Sequence, residues 1–148
     1  MIRVRPIEAA DEAQWRKLWR GYLTFYETER PEEIYASTFA RLINPAVTDY
    51  HGFIADDDGQ AVGLTHFIYH RHGWHIAQVC YLQDLFVSKS ARKGGVGRRL
   101  MEAVFEAAQA AGAADVYWLT QDFNTDARAL YDQIGTVTPF IKYRRAAP

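Results

Sequence analysis

A basic, glycine-rich turn contains the residues of this chain that are best suited to bind an anion. The turn follows an apolar run that ends at Val87 and precedes an amphipathic segment that starts at Gly95. Its three glycines carry no Cβ, so a bulky anion can approach the main chain closely. A helix that begins here would add free N–H groups and the positive end of its dipole. The residues predicted to form this phosphate-binding turn are Arg92, Lys93, Gly94, Gly95, Val96, Gly97 and Arg98.

Two common nucleotide-binding motifs do not fit this turn. A dinucleotide-binding fingerprint requires another glycine three residues after Gly97, where this chain has Leu100. A P-loop ends in Gly-Lys-Ser/Thr, and that ending is absent as well. The spacing Arg92-x-x-Gly95-x-Gly97 instead resembles the pyrophosphate-binding signature of the GNAT superfamily of N-acetyltransferases. The alternative is a glycine-softened turn with a solvated basic rim.

Length and composition are typical of one soluble globular domain. The chain has 148 residues, of which 49% are apolar and 24% charged, and we expect a single domain over residues 1–148. The formal net charge is −1, so no nucleic-acid partner is predicted. No apolar run is long enough to predict a membrane span. Cys80 is the only cysteine, which excludes an internal disulfide and favours a cytoplasmic protein.

The elements that must position this turn follow from hydrophobic periodicity. The pattern predicts an α/β protein with the order β-α-α-β-β-β-α-β-α-β. Predicted strands cover residues 2–5, 53–55 and 61–69, a run ending at 87, then 116–120 and 137–143. Predicted helices cover residues 11–26, 31–44 and 95–111, and a last helix is capped by Asn124 or Thr125 and stops at Gly135. This order is similar to that of the GNAT fold. The resemblance implies a mixed sheet of about six to seven strands, four flanking helices, and a fourth strand splayed from the fifth.

The resemblance extends over nearly the whole chain. Gly63–Tyr69, Trp74 and Tyr81–Val87 resemble the diamine acetyltransferases, the spermidine/spermine-type enzymes and their bacterial relatives. Asn124, followed by Ala129-Leu-Tyr131 and Gly135, resembles the second GNAT sequence block. One position departs from the subgroup. Where the polyamine enzymes carry a Glu-Asp pair, this chain has Gln83-Asp84, and the amide of Gln83 cannot take up a proton.

The resemblance implies acetyl-CoA as the co-substrate. Its pyrophosphate would bind the glycine-rich turn, and its pantetheine arm would lie between the splayed strands. Main-chain groups of Leu85, Phe86 and Val87 would bond that arm, and Asn124 would contact it. A plain helix N-cap is a second role for Asn124, and the two roles are compatible.

Two side chains are candidates for proton transfer. An alkylammonium acceptor, with a pKa of about 10.4, must lose a proton before its nitrogen can attack a thioester. Asp84 is the candidate base, directly or through a water, although a strand aspartate can also be a fixed hydrogen-bond acceptor. In the family, the tyrosine that matches Tyr131 protonates the departing thiolate. The alternative for Tyr131 is packing on the apolar face of the last helix.

The acceptor site is predicted from residues near the end of the first helix and along the third and fourth strands. The predicted substrate-binding residues are Tyr26, Glu27, His66, Trp74 and Gln83. An acidic cluster around Pro31 would attract a cationic amine, although such clusters are usually a solvated face. Four histidines lie between positions 66 and 75, but they surround a predicted turn and no cysteine joins them. No metal site is therefore predicted.

Together these features predict an N-acetyltransferase that acts on a small, cationic primary amine such as a diamine or polyamine. An alternative acceptor is a lysine or N-terminal amine of a protein. A different class of function is a non-catalytic acyl-CoA sensor, which the change to Gln83 favours and the presence of Tyr131 disfavours. The final predicted strand, Val137 to Tyr143, is apolar enough to need a partner on its edge. The polyamine subgroup forms two-fold dimers through C-terminal strands, so the resemblance implies a homodimer with Tyr143 buried and with Arg144 and Arg145 at its rim. The alternative is that this strand is covered within its own chain and needs no second copy, with the two arginines solvated.

Overall fold

The structure is a computed structural model that describes residues 1–148. The chain divides into two compact units, Met1–Trp118 and Leu119–Pro148. The single domain expected over residues 1–148 stays a prediction. No helix is both long and apolar enough to cross a membrane.

The first unit contains five strands and three helices. The strands are β1 (Ile2–Pro6), β2 (Tyr50–Asp57), β3 (Gln60–His70), β4 (Val79–Val87) and β5 (Val116–Trp118), and the helices are α1 (Glu12–Phe25), α2 (Glu32–Ile43) and α3 (Val96–Ala110). The second unit contains one helix, α4 (Thr125–Ile134). The α/β class and the order of these nine elements are confirmed.

The strands form one mixed sheet in the order β1-β2-β3-β4-β5. Neighbours from β1 to β4 are antiparallel, whereas β5 lies parallel to β4. The β2–β3 hairpin turns at Asp58 and Gly59, which both have positive φ angles, 51° and 96°. Two left-handed residues in succession match the twist of the flanking strands, which explains why the Asp-Gly pair forms this turn.

Alternate residues of the sheet face two separate cores. Ile54 and Ala55 are neighbours in β2, yet Ile54 packs in a cluster with α1 and α2, and Ala55 packs in a cluster with α3. Neighbouring strand residues point to opposite faces, so helices cover both faces of the sheet. The larger cluster contains Ile7, Trp15, Leu18, Trp19, Leu23, Tyr35, Phe39, Ile54, Ala61 and Leu64.

The prediction of six to seven strands is wrong, because the sheet has five. The strand expected from Val137 to Tyr143 does not form, and residues 136–148 contain no strand or helix. Sequence pattern made this segment a good strand candidate, but a strand exists only where a neighbour accepts its backbone hydrogen bonds. Instead, the side chains of Val137, Phe140, Ile141 and Tyr143 are between 73% and 90% exposed.

Candidate active site

A β-bulge in β4 determines where Asp84 points. Asp84 lies opposite His66 on β3, whereas Leu82 lies opposite Phe67, so Gln83 is an extra residue in β4. Neighbouring residues of β3 point to opposite faces, and their partners Asp84 and Leu82 therefore do so as well. Without the bulge, Asp84 and Leu82 would share a face. The extra residue directs the Asp84 carboxylate towards His66 and α1.

The Asp84 carboxylate lies in a buried polar network. Its Oδ2 is 2.8 Å from Nδ1 of His66, and Nε2 of His66 is 2.9 Å from Nε1 of Trp15. Trp15 and His66 are fully buried, and Asp84 is 5% exposed. Because a buried carboxylate is costly unless it is hydrogen-bonded, these contacts are required to keep Asp84 in this position.

Tyrosines surround the same carboxylate. Tyr22 hydrogen-bonds to Asp84, and burial together with that carboxylate raises the pKa of Tyr22 well above its usual value. Burial, and then the charge of Asp84, also raises the pKa of Tyr26 and of Tyr50. Burial and neighbouring groups that include Asp84 raise the pKa of Tyr81. These phenols therefore stay protonated and neutral at neutral pH.

Helix α1 approaches β4 closely enough to bring its tyrosines to Asp84. A Cβ placed on Gly21 would lie 2.8 Å from the ring of Phe86. A larger residue would require the Phe86 ring or α1 itself to move, because real Cβ contacts are not that short. Gly21 therefore permits this close approach of α1 to Phe86.

Strand β4 separates from β5 directly beside this site. Only three residue pairs join the two strands. Residues 80–82 of β4 lie opposite Val116–Trp118 of β5. β4 continues to Val87 while β5 ends at Trp118, so the second half of β4 pairs with β3 alone. That half includes Leu85, Phe86 and Val87. Their main chain pairs with no strand on the side where β5 would lie.

The glycine-rich turn lies where β4 leads into α3. Gly95 is the N-cap of α3 with φ 79°, and Lys93 is also left-handed with φ 69°. No side chain caps the helix, and a Cβ on Gly95 would meet nothing within 4 Å, so space is open beside the main chain. The first N–H groups of α3 lack helical partners. This geometry and charge fit an approaching pyrophosphate.

The arginines of the turn have defined contacts. Arg92 donates from Nε to the carbonyl oxygen of Val87 at 3.0 Å, and its guanidinium lies 5.6 Å from the centre of the Phe86 ring. Arg98 donates from Nε to Glu102 at 3.1 Å on the surface of α3. Arg92 therefore connects the end of β4 to the turn that follows it.

Comparison with known proteins shows which family has this arrangement. The model of the acetyltransferase (GNAT) family matches residues 13–136. The chain belongs to the GNAT family. It is therefore classed as an N-acetyltransferase, and enzymes of the GNAT family use acetyl-CoA as their acetyl donor. This confirms the resemblance at the level of the superfamily.

Named relatives and a solved structure agree with that assignment. The D-amino-acid N-acetyltransferase HPA3 of Saccharomyces cerevisiae is 39% identical over 145 residues, which cover 97% of this chain and 90% of the yeast protein. The thialysine N-epsilon-acetyltransferase of Caenorhabditis elegans is 32% identical over 87 residues, 59% of this chain and 54% of that protein. The aminoglycoside acetyltransferase AAC(6')-Iy, solved with a CoA bisubstrate analogue, superposes with a TM-score of 0.84 at 21% identity, covering 99% of both chains. These relatives do not confirm the diamine subgroup.

The GNAT fold of this chain brings some of the predicted acceptor residues together and separates others. Tyr26 lies close enough to Asp84 to be affected by its charge. His66 is fully buried and contacts Asp84, and its role towards the acceptor stays a prediction. Gln83 is exposed, and Trp74 is 81% exposed in the β3–β4 loop beside His72. No three potential metal-ligating side chains come together as a group.

Glu27 has an unusual backbone conformation. Its φ is 55°, which glycine normally adopts after a helix C-terminus. Its N–H donates to the Thr24 carbonyl at 2.9 Å, and the N–H of Thr28 donates to Leu23 at 3.0 Å, which closes α1 in a Schellman motif. Glu27 borders a groove of about 700 Å³ that is also lined by Arg20, Thr28, Glu29, Arg30 and Glu32. The predicted acidic rim is thus a mixed-charge groove.

The second unit carries the remaining predicted residues of the GNAT site. Asn124 is the N-cap of α4, and its side-chain oxygen accepts from the N–H of Ala127 at 3.4 Å. Its side-chain amide donates to the hydroxyl of Thr120 at 3.3 Å. Tyr131 is half-buried in the middle of α4.

Sequence reasoning missed Trp15 and Tyr22 as partners of the site. Their three- and four-residue spacing with Leu18, Trp19 and Tyr26 predicts only an apolar face of α1, and Trp15 does pack in the core. Trp15 is 51 residues from His66, and His66 is 18 residues from Asp84. No local spacing in one sequence relates residues that far apart, so only the fold could bring them together.

Proposed function

We propose that this protein transfers an acetyl group from acetyl-CoA to the primary amine of a small, cationic molecule. The observation that carries this proposal is the Asp84 carboxylate beside the separation of β4 from β5, with Tyr22, Tyr26, Tyr50 and Tyr81 near enough for its charge to raise their pKa values. A carboxylate attracts an ammonium ion. A diamine-like acceptor fits this combination better than a neutral or anionic one.

The donor would be held by the turn and by the end of β4. Backbone N–H groups at the start of α3, together with Arg92, Lys93 and Arg98, would bind the pyrophosphate. Main-chain groups of Leu85, Phe86 and Val87, and the side chain of Asn124, are proposed to bond the pantetheine arm. A main-chain N–H at the end of β4 would stabilise the oxyanion that forms on the thioester carbonyl.

The proposed chemistry requires three proton transfers. Asp84 takes a proton from the acceptor ammonium, directly or through a water, and leaves a neutral amine. The amine nitrogen bonds to the thioester carbonyl carbon and loses a second proton to solvent, the carbon–sulfur bond breaks, and Tyr131 gives its proton to the departing thiolate. Asp84 then releases its proton to solvent and Tyr131 takes one up. The products are an N-acetyl amine, free CoA thiol and one proton.

A second copy of the chain is proposed as a partner. Apolar side chains at Val137, Phe140, Ile141 and Tyr143 are exposed in the single chain. Pairing this segment with the same segment of another copy would satisfy its backbone and bury those side chains. Arg144 and Arg145 would then lie at the rim of the contact.

The single cysteine, Cys80, is buried and unpaired, and we propose that the protein acts in the cytoplasm.

An assay of free CoA thiol against a panel of amines tests the proposed function. The panel contains putrescine, spermidine, thialysine, ornithine, a D-amino acid and peptides with free lysine or N-terminal amines. We expect turnover with alkyl amines that carry a second positive charge, and loss of turnover in Asp84→Asn but not in the exposed control Asp115→Asn. Preference for a peptide would support a protein acceptor, and preference for the D-amino acid would exclude cationic selectivity. Binding of acetyl-CoA with no turnover on any amine would support an acyl-CoA sensor.

A further inference from the structure

Three buried side chains from three different elements form a continuous hydrogen-bonded chain. Trp15 of α1 contacts His66 of β3 at 2.9 Å, and His66 contacts Asp84 of β4 at 2.8 Å. None of the three is more than 5% exposed. These two hydrogen bonds therefore connect α1 to the Asp84 carboxylate at the bulge of β4, in surroundings that exclude bulk water.

The chemistry of the three groups determines the direction of each hydrogen bond. An indole N–H can only donate, so Nε2 of His66 accepts the proton of Trp15. The imidazole proton then resides on Nδ1 and is donated to Oδ2 of Asp84. The opposite tautomer would place two N–H groups face to face and a nitrogen lone pair against a carboxylate oxygen. Trp15 thus selects the tautomer that makes His66 a donor to Asp84.

Aromatic packing fixes the orientation of both rings. Trp15 stacks on Trp19 with ring centres 5.2 Å apart and contacts Phe39 at 5.1 Å. The His66 ring lies 5.9 Å from the rings of Trp19 and Tyr50. Rotation of either ring would require displacing several buried neighbours. The network is therefore rigid enough to hold one carboxylate geometry.

We propose that Trp15 and His66 are positioning residues for acetyl transfer, which hold the Asp84 carboxylate in one orientation with Oδ2 occupied by a neutral imidazole donor. This proposal rests on the proposed function, because it assigns the two residues to the same proton acceptor. The oxygen Oδ1 is then the one that receives the proton of the acceptor amine. Since Gln83 offers no carboxylate, the orientation of Asp84 is the feature on which the reaction depends.

The network bears on how the Asp84 carboxylate is held during the reaction. His66 is the imidazole donor to its Oδ2. Without that donor the carboxylate is free to rotate away from the orientation that the bulge and the network give it. Loss of positioning by an ångström or less can cost up to about a hundredfold in rate, so kcat should fall more than the affinity for the amine.

The first experiment reads the tautomer of His66 without using activity. Protein with ¹⁵N-labelled histidine is examined by NMR at pH 8, where we expect a proton on Nδ1 and a hydrogen-bonded, unprotonated Nε2. In Trp15→Phe the Nε2 resonance should move to the position of a nitrogen without a hydrogen bond. Trp19→Phe is the matched control, because Trp19 is also buried in the same stack but its Nε1 has no hydrogen-bond partner. A proton on Nε2 in the parent, or equal shifts in both variants, would overturn the proposal.

The second experiment measures kcat and KM separately with one acceptor amine throughout. His66→Leu should lower kcat about ten- to a hundredfold with a smaller change in KM, and His66→Asn, which places an amide N–H near the position of Nδ1, should restore most of the rate. Equal kcat in the parent and both variants would overturn the positioning role. An unmeasurable rate in the parent would refute the proposed function instead, and the NMR comparison would still decide the network. That comparison also remains decisive if His66→Leu does not fold.

Discussion

At the scale of single residues, the candidate reaction depends on the side chains of Asp84 and Tyr131. Asp84 has a defined environment of one imidazole and several tyrosines. Tyr131 has its place in the family sequence block and a half-buried position on α4. Its proposed role as the acid for the thiolate can be separated from a packing role, because removing only the hydroxyl leaves the ring in place.

Tyr131→Phe is expected to lower kcat by a factor between about 10² and 10⁴, which is typical of a lost general acid. The KM for acetyl-CoA should change little, because the phenol is proposed to act only as the thiolate departs. Steady-state kinetics under conditions where chemistry limits turnover will measure this. Tyr69→Phe, another half-buried tyrosine, serves as the control and should keep the parent rate. An unchanged rate in Tyr131→Phe would assign that residue to packing.

At the scale of elements, the turn between β4 and α3 combines two left-handed residues with a helix N-terminus. Gly95 and Gly112 provide a matched comparison, because they flank the two ends of α3. Both have positive φ, 79° and 74°, and neither has an atom within 4 Å of an added Cβ. A substitution at either position introduces similar backbone strain, but only Gly95 belongs to the turn proposed to bind pyrophosphate.

Gly95→Val should weaken acetyl-CoA binding about tenfold or more, because hydrogen bonds to charged groups contribute roughly 1.5–3 kcal/mol each. Gly112→Val should lose comparable stability, about 1–2 kcal/mol, without that loss of affinity. Isothermal titration calorimetry and thermal unfolding of both variants separate the two effects. Arg92→Ala should weaken binding as well. Parent-like affinity in both Gly95→Val and Arg92→Ala would refute the pyrophosphate site.

A second element-scale feature joins β1 to the start of α1 and to β2. Arg5 donates to both carboxylate oxygens of Asp11, at 2.8 and 2.9 Å, and also to Asp56 at 3.1 Å. The Arg5 hydrogen bonds lower the pKa of Asp11 below its usual value. The backbone N–H of Gly59, followed by Arg5, lowers the pKa of Asp56. Asp56, near the end of β2, is thus a buried ion-pair partner.

Arg5→Met should lower Tm at pH 7 by roughly a few degrees, because two carboxylates lose their charged partner. A pKa that is lower in the folded state stabilises the protein above the unfolded value of about 3.9, and that stabilisation is lost as the pH falls through the folded pKa. The Tm difference should therefore shrink below about pH 4. Arg3→Met is the control, because Arg3 is exposed and lies 3.8 Å from Asp56. A Tm difference that is independent of pH would contradict this account.

At the scale of the whole molecule, the proposed dimer depends on the segment that follows α4. Light scattering at micromolar concentration should give twice the 17.0 kDa mass of one chain. Replacing Phe140 and Ile141 together with serine should shift the mass to that of a single chain, because the contact loses its apolar area. Ile43→Ser, a change at a partly exposed residue that ends α2, is the control and should leave the mass unchanged. A parent mass near 17 kDa would refute the dimer.

The sequence alone determined the features whose causes are local. The phosphate-binding turn could be predicted because glycines, basic residues and the start of an amphipathic helix are adjacent in the chain. The same holds for the order of the first nine elements and for the Asp58–Gly59 hairpin turn. Asp84 could be singled out as titratable, because no other carboxylate lies in the same apolar strand.

Tertiary structure alone decided the features that depend on distant residues. The bulge at Gln83 reverses the face of Asp84, and strand periodicity by itself would have placed that carboxylate with Leu82. Register between β3 and β4 then brings His66 to Asp84, and the close approach of α1 brings Trp15 and its neighbours. The last strand failed for the same reason: a sequence can favour extended backbone, but a strand requires an edge to pair with, and only the assembled fold supplies or withholds one.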